Sequence, residues 1–157
     1  MVTIEQLERW MTEPEAERLE FKEAKTNFDS DDLAKYMSAL SNEGGGHLVL
    51  GVTNARPRTV VGSQAVQNLD KPKSQLLRRL HIRVDAQEIS HPSGRVVIFT
   101  APPRAKGVPV MFKGAGWMRV GEELVAMTPD ALQRIFAEAT PDYSAEVCVN
   151  AVMDDLD

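Results

Sequence analysis

The chain has 157 residues, of which 43% are hydrophobic and 26% charged, and its formal net charge is −5. These values predict one globular domain that buries its own core, and the lone Cys148 excludes an internal disulfide. No stretch approaches the roughly 18 apolar residues of a membrane span, and no histidine or cysteine stands at a metal-ligand spacing. We therefore expect a cytoplasmic protein with no membrane partner, no metal and no cofactor in this chain.

The charges are spread unevenly along the sequence. Residues 1–55 hold 5 basic and 11 acidic side chains, residues 56–119 hold 12 and 3, and residues 120–157 hold 1 and 9. Polyanions are bound by Lys and Arg side chains that displace counterions. The middle third is therefore the candidate anion-binding surface, and we expect its basic residues to gather on one face of the folded chain.

The first predicted elements are a short helix and a strand. A capping box at Thr3 precedes apolar residues at helical spacing, which predicts a helix over residues 4–12. Residues 18–23 alternate apolar and charged side chains. This period predicts a half-buried strand with Glu20 and Lys22 on its other face, where an exposed ion pair is one interpretation.

A helix of about 12 residues, capped by Asp29 or Ser30, precedes three consecutive glycines at 44–46 and an apolar strand at 47–52. A phosphate-binding loop needs the opposite order, with the glycines before the helix. Because the C-terminal end of a helix carries a partial negative charge, it repels phosphate. We interpret the glycines as a C-cap turn in which the backbone approaches another segment closely.

Residues 54–63 predict a turn and a short edge strand, and Asp70 is predicted to cap a helix that ends at Leu80. Two β-hairpins are predicted next, the first around "SHPSG" and the second around "GAG". Thr128, before Pro129, is predicted to cap the last helix. The inward residues of these two helices are expected to be Leu76, Leu77 and Leu80, then Leu132, Ile135 and Phe136.

These elements predict an α+β fold: a mixed, mostly antiparallel sheet with two β-hairpins and about four helices packed on it. We expect the domain to span residues 1–139. Residues 140–157 have weak periodicity and end in acidic side chains. We expect them to begin a linker to a further C-terminal region of a longer protein.

Several phrases, in this order, resemble the Schlafen AlbA-type DNA-binding domain. They are "EAERLEFKEAK", "SALSNEGGGHLVLGVTN", "VVG", "VVIFTAPPRAKGVPVMFKGAGWMRVGEE" and "LQRIF". The resemblance covers nearly the whole chain. It implies a nucleic-acid-binding module, as found at the front of bacterial transcriptional regulators and RecG-related ATP-dependent DNA helicase-like proteins. Any ATP binding or helicase activity would then lie in the region beyond these residues.

Some relatives in that family are RNA endonucleases with two glutamates around the E-F-K phrase and an aspartate after the apolar strand. Three carboxylates could hold a divalent metal that activates water for phosphodiester attack. The resemblance places Glu15 and Glu20 at the first two positions, but Asn54 stands at the third. An amide is a weaker ligand than a carboxylate, so we expect no catalytic residue and no enzyme activity in this chain. A metal-dependent endoribonuclease using Glu15 and Glu20 is an alternative.

Basic side chains are the main candidates for contact with DNA or RNA, because phosphate contact needs charge on adaptable stems but no fixed spacing. Arg78 and Arg79 follow the inward leucines of the third helix and should project outward. The aromatic side chains of Phe112 and Trp117 could stack on a base, although core positions are the commoner role. The candidate contacts are Lys22, Lys71, Lys73, Arg78, Arg79, Arg83, Arg104, Lys106, Lys113 and Arg119.

A second functional alternative is a protein-interaction module. The acidic ends of one copy could pair with the basic middle of another and form a homodimer.

Overall fold

The computed structural model describes residues 1–13 and 18–139. The α+β class is confirmed, with four helices in this part of the chain, none of them long and apolar enough to cross a bilayer. Glu15 and the segment 140–157 lie outside the described residues. The elements are α1 (Ile4–Thr12), β1 (Leu19–Lys22), α2 (Ser30–Asn42), β2 (Gly46–Leu50), α3 (Asp70–Leu80), β3 (Asp85–His91), β4 (Gly94–Ala101), β5 (Met111–Phe112), β6 (Ala115–Val120), β7 (Glu123–Ala126) and α4 (Pro129–Ala137).

The strands form two sheets rather than the single sheet expected. The larger sheet has the order β1-β2-β4-β3, in which β1 and β2 are parallel and the other pairs antiparallel. The smaller sheet, β5-β6-β7, is antiparallel. Both predicted hairpins are present, as β3-β4 and β5-β6. The sequence analysis missed β7, and the predicted edge strand over 54–63 is reduced to one bridge between Val52 and Val60.

The larger sheet separates two hydrophobic clusters because successive side chains of a strand point to opposite faces. On β2, Leu48 and Leu50 face the cluster that contains α2 and α3. Val49, between them, faces the cluster that contains α1. Helices α2 and α3 therefore lie on one face of this sheet, and α1 lies on the opposite face.

The helix caps follow the sequence except at α3. Thr3, Asp29 and Thr128 each accept a hydrogen bond from a backbone N–H in the first turn of their helix. Asp70 does not cap α3, because it is the first residue of the helix. The acceptor is Asn68, whose side-chain oxygen lies 3.0 Å from the Asp70 backbone nitrogen.

Two side chains predicted to face inward are exposed instead. Leu77 on α3 is 39% exposed and Phe136 on α4 is 53% exposed. Their helices bury a narrower stripe than the sequence suggested, with Leu76 and Leu80 on α3 and Ile135 on α4.

The three glycines make the predicted C-cap turn. The Gly45 N–H donates to the Leu40 carbonyl at 2.8 Å, and both Gly44 and Gly45 have positive φ. Gly46 enters β2 so close to its neighbour that an added Cβ would lie 2.5 Å from the Arg18 carbonyl oxygen. The glycines thus turn the chain from α2 into β2 and allow the close approach of β1.

Candidate nucleic-acid interface

Glu20 is buried, so its interpretation as half of an exposed ion pair with Lys22 is wrong. Only 4% of Glu20 is exposed, and Arg119 Nη1 donates to its Oε1 at 3.1 Å. Arg119 Nη2 also donates to Glu43 Oε1 at 2.8 Å. Burial raises the pKa of the Glu20 carboxyl, and the hydrogen bond from Arg119 opposes that rise. The Arg119 guanidinium therefore joins β6 of the smaller sheet to β1 and α2.

Two of the predicted phosphate contacts are held in ion pairs with carboxylates. The Arg119 side chain is 11% exposed, and its guanidinium is shared between Glu20 and Glu43. Arg104 Nη1 donates to Glu138 Oε1 at 2.6 Å. This bond, with a second from the Gly107 N–H, lowers the pKa of the Glu138 carboxyl to about 2. Because the Arg119 and Arg104 side chains are paired and only 11% and 16% exposed, they are less accessible to a phosphate than exposed basic side chains.

The nuclease-like positions do not provide a carboxylate set in the described residues. The Glu20 carboxylate is occupied by Arg119, and the Asn54 amide donates to Glu122. Within residues 1–13 and 18–139, no three His, Cys, Asp or Glu side chains are placed to hold a metal ion. A divalent metal needs several oxygen ligands with matching charge. The described residues therefore do not fit such an ion.

Asp31, at the start of α2, brings together two basic side chains from distant parts of the sequence. Lys113 Nζ, on the turn between β5 and β6, donates to Asp31 Oδ2 at 2.6 Å. Arg79 Nη1, on α3, donates to Asp31 Oδ1 at 3.3 Å. Both cations also lie within 6 Å of the Phe112 ring centroid, at 5.6 Å for Lys113 and 5.9 Å for Arg79. One carboxylate is thus bordered by two partly exposed cations.

Helix α3 extends this positive surface. Residues four apart on a helix share a face, so Lys71, Gln75 and Arg79 form one stripe, and Arg78 lies beside it. Lys71 and Arg78 are exposed. The Arg78 guanidinium donates to the Ser74 hydroxyl at 3.1 Å.

Lys35 belongs to the same surface and was missed by the sequence analysis. It lies one turn after Asp31 on α2, and its ammonium sits 4.7 Å from the Trp117 ring centroid. The signal was its spacing of four from Asp31, which was obscured because the first 55 residues are acidic as a block. We use the name cationic face for these residues together: Lys35, Lys71, Arg78, Arg79 and Lys113.

The aromatic side chains of the second hairpin do not form an open stacking platform. Phe112 is 5% exposed and belongs to the core, which confirms the commoner of its two interpretations. Trp117 is half-buried against the same core, and its indole N–H donates to the Phe112 carbonyl at 3.1 Å.

The expectation that the basic residues of the middle third share one face is wrong. Arg95 holds backbone carbonyls and Glu88, and Arg58 lies over the Phe21 ring. Lys73 pairs with Asp70 at 3.7 Å. Of the other candidates, Lys22 is half-buried over the Tyr36 ring, and Arg83 and Lys106 are exposed.

This arrangement defines a small α+β module with a buried arginine–glutamate junction and a separate cationic face. A family model described as Schlafen, AlbA_2 matches residues 15–128. The chain therefore belongs to the Schlafen AlbA_2 family, as the sequence resemblance implied. No curated protein matches the sequence.

Two solved structures share the fold. The DIP2311 protein from Corynebacterium diphtheriae superposes with a TM-score of 0.66 at 17% identity, covering 87% of this chain and 28% of that one. The second is the N-terminal domain of a protein from Nitrosomonas europaea described as related to the ATP-dependent DNA helicase RecG. Its TM-score is 0.50 at 20% identity, covering 78% of this chain and 87% of that one. The chain thus spans under a third of the Corynebacterium protein.

Proposed function

We propose that this chain binds nucleic acid, with DNA as the ligand, by seating backbone phosphates on the cationic face. The observation that carries the proposal is the convergence of Arg79 and Lys113 on the single carboxylate of Asp31. The five basic residues of the cationic face outnumber the three acidic residues of α2 and α3, Asp31, Asp32 and Asp70, which leaves the surface net positive. Membership in the Schlafen AlbA_2 family supports the same function.

The chemistry of this surface suits phosphates rather than base edges. The Lys113 side chain is 64% exposed and that of Arg79 is 40% exposed, so both retain room to reorient toward an incoming anion. A phosphate oxygen can take the place of the Asp31 carboxylate as the acceptor of both side chains. Such contacts position a strand without reading its sequence.

The likeness to the Nitrosomonas europaea domain supports a place at the N-terminus of a larger bacterial protein. In this proposal, the chain anchors a transcriptional regulator or a RecG-related protein to DNA in the cytoplasm. ATP binding or helicase activity, where present, would be supplied by the rest of that protein.

The test is fluorescence anisotropy of a labelled DNA at about 50 mM salt, followed by titration to about 200 mM. We expect binding that weakens as salt rises. The double variant Arg79→Ala/Lys113→Ala should bind more weakly and lower the salt slope by about 2, or about 1 per lost phosphate contact. The matched control is Arg134→Ala, which removes an exposed arginine of α4 and should change little.

Three results would contradict the proposal: no binding at low salt, binding that is indifferent to salt, or an unchanged double variant. Sedimentation of the protein at the same two salt concentrations tests the alternative function, a protein-interaction module that forms a homodimer. A salt-sensitive dimer with no affinity for DNA would favour that alternative instead.

A further inference from the structure

A groove lies beside the cationic face, between α3 and two loops. Its volume is about 280 Å³, and Lys71, Gln75 and Arg79 of the α3 stripe line one side. The opposite sides are formed by the loop that precedes α2, including Asn27 and Phe28, and by the loop that precedes α3. Sites for drug-sized ligands occupy about 300–1,000 Å³, so this groove has room for one ring system.

The loop that precedes α3 is held by Arg95, whose side chain is 15% exposed. Arg95 Nη1 donates to the Ala65 carbonyl at 2.7 Å, and Nη2 donates to the Val66 carbonyl at 2.7 Å. Val66 itself has φ of 55°, a left-handed conformation that is unfavourable for a β-branched residue. Strained backbone of this kind persists where its surroundings hold it, and it is concentrated at functional sites. The groove is therefore preformed rather than created by a ligand.

The lining combines an apolar floor with polar groups at the rim. The half-buried Phe28 ring and the side chains of Leu33 and Leu76 provide the floor. Asn27 and Gln75 line the groove, and neither side chain has a hydrogen-bond partner among the described residues. A primary amide can both donate and accept, which matches the polar edge of a nucleobase. Lys71 and Arg79 add positive charge at the mouth.

We propose that this groove seats one unpaired base of a DNA strand whose phosphates lie on the cationic face, an inference that rests on the proposed function. The base stacks against Phe28, while Gln75 and Asn27 bond its polar edge. Lys71 and Arg79 contact the phosphates on either side. A paired base cannot enter, because it is stacked inside the duplex. The domain should therefore prefer single-stranded DNA to duplex DNA.

The experiment compares labelled single-stranded DNA with a duplex carrying the same number of phosphates, at about 50 mM salt. Wild type should bind the single strand about tenfold more tightly than the duplex. Phe28→Leu keeps an apolar floor but removes the ring, and it should weaken single-strand binding about tenfold while leaving duplex binding within about twofold. Gln75→Leu replaces the amide with an apolar side chain of similar volume, and it should also weaken single-strand binding more than duplex binding. Lys71→Ala is the matched control and should weaken both DNA forms equally.

A base-analogue strand gives a direct readout of stacking. The fluorescence of 2-aminopurine in the strand should rise on binding to wild type, because the seated base leaves the neighbouring bases that quench it, and it should rise less with Phe28→Leu. Thermal unfolding of each variant checks that it is folded, and Gln75→Leu replaces Phe28→Leu if the latter unfolds. Equal binding of both DNA forms, with Phe28→Leu and Gln75→Leu binding like wild type, would overturn the groove but leave the phosphate surface intact. No binding of either DNA form would overturn the proposed function and the groove together.

Discussion

Arg119 and Glu20 are 99 residues apart in the sequence, yet the guanidinium of one and the carboxylate of the other are hydrogen-bonded at 3.1 Å. The same guanidinium donates to the Leu19 carbonyl at 2.9 Å, so it also binds the backbone of β1. The bond therefore ties the smaller sheet to the edge of the larger one. The Arg119 guanidinium thus holds the smaller sheet in place together with the Phe112 side chain, which belongs to the core.

Replacing this cation should destabilise the fold strongly. Arg119→Leu leaves the Glu20 carboxylate buried without its partner, which should cost about 3–5 kcal/mol in the free energy of unfolding. The pKa of the Glu20 carboxyl lies above its usual value of 4.5, so the deficit should shrink as the pH falls from neutral toward 4.5, because a protonated Glu20 no longer needs a cation. Urea unfolding at both pH values measures it.

The control for this change is Arg134→Leu, the same substitution in a pair that is exposed on both sides. The Arg134 side chain is 78% exposed and pairs with Asp130 within one turn of α4. Exposed pairs of this kind contribute about 0–1 kcal/mol. Equal losses for the two variants would show that Arg119 has no special role in joining the sheets.

Asp31→Asn should increase the affinity for DNA, although it removes contacts with Arg79 and Lys113. The hydrogen bond from Lys113 lowers the pKa of the Asp31 carboxyl, which therefore stays ionised and competes with phosphate for both cations. Removing that charge should strengthen binding about threefold to tenfold and steepen its salt dependence. Anisotropy with the labelled DNA used for wild type measures both quantities.

Glu5→Gln makes the same change in net charge on α1, on the opposite face of the larger sheet. It should leave the affinity within about twofold of wild type, because exposed charges beyond a Debye length of about 10 Å are screened. If Asp31→Asn weakened DNA binding, or if Glu5→Gln strengthened it as much as Asp31→Asn does, the cationic face would not be the phosphate site.

Local signals in the sequence were enough to predict most elements of this fold. The caps at Thr3, Asp29 and Thr128 and the glycine turn after α2 depend on residues only a few positions apart, so their patterns can be read directly. The burial of Glu20 could not be read, because it depends on an arginine 99 residues away. An alternating strand looks half-exposed until the element that covers its other face is known.

The same limit decides which residues of the candidate site could be predicted from the sequence. The α3 stripe could be predicted from helical spacing, and it supplies two of the five residues of the cationic face, Lys71 and Arg79. The role of Asp31 could not be predicted, because its partners Arg79 and Lys113 are 48 and 82 residues away in the sequence. Counts of charged residues along the sequence also could not distinguish exposed cations from arginines such as Arg95, whose guanidinium is hydrogen-bonded to backbone carbonyls.

Leu76 and Leu77 offer a direct test of which helix face is buried. Leu76 is 2% exposed and Leu77 is 39% exposed, although the sequence pattern placed both inward. Leu76→Ala should cost about 2–5 kcal/mol because it leaves a cavity in the core. Leu77→Ala should cost under about 1 kcal/mol, because much of that side chain is already in water. Similar urea-unfolding midpoints for the two variants would contradict the orientation of α3.

The ion pair between Arg104 and Glu138 should make stability depend on pH in the acid range. The pKa of the folded Glu138 carboxyl, about 2, lies below its usual value of 4.5. The pair therefore stabilises the fold above about pH 4.5, and that stability is lost as the pH falls toward about 2. Wild type should have a higher free energy of unfolding than Glu138→Gln at about pH 7, and this difference should narrow steadily between about pH 4.5 and about pH 3.

The control is Glu123→Gln, which removes an exposed carboxylate of β7 that has no partner among the described residues. Its free energy of unfolding should show no such pH-dependent difference from wild type. A gap for Glu138→Gln that stayed constant with pH would mean that the carboxylate charge does not hold α4 to the loop after β4.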